Sequence, residues 1–157
     1  ILEKKTKSYE EYIRLFRILM LAISIMGIGV GVAIQILGKY LILILYGKDY
    51  VGAGVLLKIL IWSTSFAMIG TARGIWNVAE NKNRYVKYYT IIGSVFNLVF
   101  NYFAIQIWGA AGAAIGTLLS QVIVSLGAPM LWKETRVFVR LYLNSWKYLR
   151  KRREWGN

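Results

Sequence analysis

Four long apolar stretches, roughly residues 13 to 37, 54 to 79, 86 to 108 and 111 to 132, limit what this chain can fold into. Each holds about 22 to 26 residues, enough at a rise of about 1.5 Å per residue to cross a hydrocarbon layer of roughly 30 Å with some tilt. A helix in a water-soluble bundle needs a polar stripe along its wet side, and ILMLAISIMGIGVGVAIQIL has none. The chain therefore reads as all-α: a polytopic membrane protein with four transmembrane helices and a C-terminal amphipathic interfacial helix. Ser8 and Glu11 form a capping box that starts the first helix in a wet, charged stretch. Carrying that helix through GKYLILILYG would overrun the bilayer, so a break is expected near Gly38, with a short second piece over 39 to 46 ending at Gly47.

The chain is 57% hydrophobic yet carries 20 Lys and Arg against 7 Asp and Glu. A nucleic-acid-binding domain spreads its cations over a polar surface, whereas here they gather between apolar runs, so no nucleic-acid partner is expected. Lys4, Lys5, Lys7, Arg14 and Arg17 come before or at the start of the first span, and Lys82, Arg84 and Lys87 lie around the loop before the third. The loop after the first span has only Lys39 and Lys48, and the turn IWGAAGA has no cation. The positive-inside bias then puts both termini and the middle loop in the cytoplasm. Residues 1 to 135 form the transmembrane region and 136 to 157 a basic tail. In the tail Val139, Tyr142, Trp146 and Leu149 share one helical face, while Arg136, Arg140, Asn144, Lys147 and Lys151 share another, as in a helix lying along anionic lipid. Ile1 is not an initiator Met and the first residues lack the order of a signal peptide, so the chain reads as part of a longer one.

Catalysis is poorly supplied. There is no Cys and no His, and no paired carboxylates or metal-ligand cluster stands out, so no catalytic residue, metal site or cofactor is expected. The chemistry that is present lies inside the spans. A hairpin turning near residues 109 to 110 would bring Asn97 to the level of Gln121 and Asn101 to that of Thr117. These side chains could join the two helices by hydrogen bonds contributing about 0.6 to 2 kcal/mol each, or they could line a polar cavity. Gly27 and Gly31, Gly70 and Gly74, and Gly112 and Gly116 have the spacing that lets helix backbones approach closely. On the second span Lys58, Trp62, Ser65, Arg73 and Trp76 fall within an arc of roughly 80°. Snorkelling accounts for Lys58 and Arg73 taken singly; together with Trp and Ser they could form a cationic cavity wall for an anionic head group. No Asp or Glu lies deep in a span to couple transport to protons or sodium.

LYGKDYVGAGVLLKILIWS, TARGIWNVAENKNRYVKYYTIIGSVFNLVFNYFAI and WGAAGAAIGTLLSQ resemble the C-terminal region of bacterial polysaccharide flippases. These are the O-antigen and capsule repeat-unit translocases of the multidrug, oligosaccharidyl-lipid and polysaccharide exporter superfamily. The likeness covers about residues 10 to 135; an Ile-Pro pair usual in the family is here Ile105-Gln106. It implies a parent of about twelve to fourteen helices in two lobes that open a central cavity alternately to either side, of which this chain is part of one lobe. The implied cargo is an undecaprenyl-pyrophosphate-linked oligosaccharide, and the implied partners are membrane lipids and the missing N-terminal helices. Lys58 and Arg73 would be candidates for pyrophosphate or acidic-sugar contact. A drug or peptidoglycan-precursor exporter of the same superfamily, or a small four-helix scaffold or assembly subunit, are the competing functions.

Overall fold

The computed structural model describes residues 9–154, with side chains through residue 147, and every element among them is helical. Helices α1 (Tyr9–Tyr46) and α2 (Ala53–Ala79) are joined through a single 3-10 turn, Lys48–Tyr50, and a second such turn, Asn83–Tyr85, leads into α3 (Val86–Val122). A π-helical turn, Ile123–Gly127, and a 3-10 turn, Ala128–Leu131, then lead to α4 (Lys133–Glu154). Three helical stretches are long and apolar enough to cross a membrane: Tyr9–Tyr46, Ala53–Ala79 and the continuous run Asn83–Leu131.

The third of these is folded back on itself at Gly109, whose φ of 56° and ψ of −137° lie where only glycine avoids a steric penalty. Its two arms, residues 86–108 and 110–122, pack antiparallel: the Ser120 hydroxyl donates to the Gly93 carbonyl at 3.0 Å. A Cβ on Gly112 would overlap the Ala104 backbone, and one on Gly116 would overlap the Asn101 amide oxygen. The predicted hairpin is thus present with a slightly different register, since Asn101 meets Gly116 rather than Thr117.

The expected break near Gly38 does not occur. Helix α1 runs unbroken for 38 residues, about 57 Å. A lone glycine lowers helix propensity by about 1 kcal/mol relative to Ala but does not stop a helix, and Gly38 is buried opposite Leu57 of α2. The helix ends at Gly47, as anticipated, with φ of 86°.

Residue pairing between α1 and α2 explains how so long a helix is used. Gly27 lies against Ser65, Gly31 against the Trp62 ring, and the Gln35 amide donates to the Lys58 carbonyl at 2.8 Å. Followed toward the N-terminus, this antiparallel register brings Phe16 level with Trp76. There Phe16, Met20, Ile69, Ala72 and Trp76 form a buried core with Phe138, Val139 and Tyr142 of α4. At the same end the rings of Tyr85, Tyr88 and Tyr89 surround Trp132 at 5.6 to 5.7 Å. Tyr and Trp cluster in this way at membrane–water interfaces. The first turns of α1 and this aromatic cluster together make a packed collar at one end of the bundle.

Helix α4 completes the collar, and this corrects the sequence reading of the tail. It runs Lys133–Glu154, and Phe138, Val139, Tyr142 and Ser145 turn into the bundle instead of toward lipid. The Ser24 hydroxyl donates to the Met20 carbonyl at 2.8 Å, so the Tyr142 hydroxyl, 2.9 Å away, donates to Ser24. Phe16 and Trp76 offer shaped aromatic surface, and a fitted protein contact gains more dispersion energy than disordered acyl chains supply. Trp146 stays partly exposed, while Leu149 and Lys151 lie outside the described side chains.

Candidate polar groove in the folded third helix

Thr90, Ser94, Asn97 and Asn101 recur at intervals of four, three and four, which puts them along one face of the first arm of α3. Thr117, Ser120 and Gln121 face them from the return arm. With Gly93, Leu98 and Val124 they line an open groove of about 710 Å³. From Thr90 to Asn101 the groove runs about 16 Å along the helix axis, roughly half the hydrocarbon thickness.

Hydrogen bonding within the groove distinguishes between the two roles foreseen for its amides. Asn101 donates to Asn97 at 3.1 Å along the same arm, and the Thr117 hydroxyl donates to Ala113 of its own helix at 3.0 Å. Ser120 alone among the groove hydroxyls and amides joins the two arms, through the Gly93 carbonyl. Glycine contacts and Ser120 therefore hold the hairpin together; the Asn101 amide oxygen is buried against Gly116 without a hydrogen-bond partner, while the half-buried Asn97 and Gln121 side chains line the groove. An amide left unpaired in hydrocarbon costs on the order of 1 to 3 kcal/mol or more. The donors and acceptors that the Asn101–Asn97 bond leaves over along the groove have to meet water, a polar ligand or a polar partner. The groove offers donors and acceptors and no charge or nucleophile.

The face predicted on α2 is arranged differently. The Trp62 ring covers Gly31, and the Ser65 hydroxyl donates to the Gly27 carbonyl at 2.9 Å, so both side chains are engaged by α1. Trp76 is buried in the core, its ring 5.9 Å from that of Phe138. Lys58 is half-buried, and its carbonyl accepts from Gln35. Arg73, only 6% exposed, donates to the Val124 carbonyl and lies 4.6 Å over the Tyr89 ring. These five residues share an arc of α2 but are divided among three neighbours, and they do not line one open wall.

Local chemistry explains the position of Arg73. In the π-helical turn the Ala128 N–H bonds the Ile123 carbonyl, five residues back. The same register would pair the Val124 carbonyl with residue 129, which is Pro and has no N–H. The Arg73 guanidinium supplies the missing donor. A second clasp lies beside it: the Ser125 hydroxyl donates to the Phe66 carbonyl at 2.6 Å.

Asn77, one turn beyond Arg73, is fully buried without a hydrogen-bond partner for either amide atom, and the Tyr89 hydroxyl and Arg73 Nε are likewise unpartnered. Sequence reasoning missed this cluster; its one signal is the spacing of Arg73 and Asn77 on an otherwise apolar helix. No group of three His, Cys, Asp or Glu able to hold a metal occurs among the described residues. Comparison with protein-family models, with curated proteins and with solved structures gives no match.

Proposed function

We propose that the chain forms part of a transporter for lipid-linked oligosaccharides, with the α3 groove as a stretch of the wall past which the polar head group moves. The observation that carries this reading is the row of amides and hydroxyls from Thr90 to Asn101, facing Thr117 and Gln121, left uncovered by the chain's other described helices on a stretch long and apolar enough to cross a membrane. Four crossings, with the two arms of α3 counted separately and both termini in the cytoplasm of a bacterial inner membrane, fit the cation distribution and the turn at Gly109. Further helices of the same protein would close the groove into a passage. The resemblance to polysaccharide flippases supplies the cargo class, a polyprenyl-pyrophosphate oligosaccharide. Contact with the charged pyrophosphate moves away from Arg73, which is occupied by the Val124 carbonyl. The open groove also supports a second reading, a small scaffold whose amides clasp a partner's helix.

Replacing Asn97, Asn101 and Gln121 together by Leu in the complete transporter tests the first reading. Loss of surface polysaccharide with normal membrane abundance is the expected result. Unchanged polysaccharide display would remove the groove from the transport path.

A further inference from the structure

On the first turns of α1, a cleft of about 350 Å³ is lined by Tyr9, Glu10, Ile13, Arg14 and Arg17. It is distinct from the α3 groove. Arg17 follows Phe16, which is level with Trp76, so the cleft lies at the end of the bundle where Tyr85, Tyr88, Tyr89 and Trp132 cluster, as aromatic residues do at head-group depth. The Nε of Arg17 is buried and has no hydrogen-bond partner, and neither Arg14 nor Arg17 is ion-paired to a described residue. Two guanidinium groups three positions apart lie on neighbouring parts of one helix surface. Without an anion between them their charges repel.

From this geometry we infer that the cleft is a binding site for the phosphodiester of a membrane phospholipid, held by Arg14 and Arg17. A guanidinium presents a planar fork of donors that matches two phosphate oxygens at once, and the pair can hold one phosphate from two sides. Tyr9 and Ile13 supply apolar ground for the glycerol and the first methylenes. Glu10, one turn before Arg14 on the same wall, opposes the anion, so the two guanidinium groups have to outweigh one carboxylate. A lipid phosphate is favoured over a dissolved one because the membrane keeps head groups at this depth and at high local concentration.

The test is native mass spectrometry of the full chain released from detergent and titrated with phosphatidylglycerol or with diacylglycerol of the same acyl chains. One phosphatidylglycerol is expected to remain bound per chain, and no diacylglycerol. R14Q/R17Q is expected to weaken retention about tenfold or more, while R140Q/K147Q, the same charge change on α4, leaves it within about twofold. Equal loss in both double variants would reduce the site to diffuse charge and overturn it. Equal retention of diacylglycerol overturns it as well, and this comparison uses the unaltered chain, so it holds even if R14Q/R17Q does not fold. Displacement by millimolar inorganic phosphate would assign the cleft to a free anion and sink the lipid assignment.

Discussion

Replacing Arg73 by Met removes the only side-chain donor among the described residues that reaches the Val124 carbonyl, and residue 129 cannot take over because it is Pro. Leaving that acceptor unpaired is expected to cost about 1 to 3 kcal/mol, read as a fall of a few degrees in the melting temperature in detergent. Adding Pro129→Ala returns an N–H to the turn, so the double variant should melt above Arg73→Met alone; additive losses would refute the assignment. The glycines make a second contrast at this scale. Gly112→Ala drives a methyl into the Ala104 backbone and should destabilise the hairpin, whereas a Cβ at Gly74 meets open space, so Gly74→Ala should be neutral or slightly stabilising. Both glycines belong to the same spacing motif, and the motif could not say which of them is used. That depends on the partner helix, which the local sequence does not contain.

At the scale of elements, the folded α3 makes a topological prediction that the absence of native Cys leaves open to a clean test. A single Cys at Ala110 should react with an impermeant thiol reagent from the side of the membrane opposite to one at Lys82; reaction from the same side would mean that the hairpin does not cross. Within the spans, Cys at Asn97 or Gln121 should react with a water-soluble reagent, and Cys at Ser65 should not, because α1 covers it. Much of this architecture was readable in advance. Apolar run length announces membrane helices, and the small residues around Gly109 announce a turn, because solvent and backbone sterics act locally. The unbroken α1 was not readable, since the surplus length looks impossible until Phe16 and Met20 are seen packed in a core with α2 and α4. The polar groove was half legible: the spacing of Asn97, Asn101, Thr117 and Gln121 showed that they would gather, but not that Ser120 would do the joining.

For the whole molecule, the collar depends on a contact between residues more than 100 positions apart, Phe16 and Phe138, with rings 6.4 Å apart. The basic tail read as a lipid-bound helix because nothing in its own stretch reveals that docking surface. Phe138→Ala should cost about 3 to 5 kcal/mol and speed trypsin cleavage after Arg140, whereas Leu143→Ala, at a site 56% exposed, should do neither. Equal proteolysis of the two variants would show that α4 is not held by the bundle. The uninterrupted α1 then carries a mechanical meaning. One stiff rod of 38 residues is both long and apolar enough to cross a membrane and the element on which α4 docks. Pivoted at its Tyr46 end, a swing of about 10° would sweep its Tyr9 end through roughly 10 Å. A small tilt would thus arrive at the docked α4 amplified, and moving α4 would be felt as torque along the whole rod.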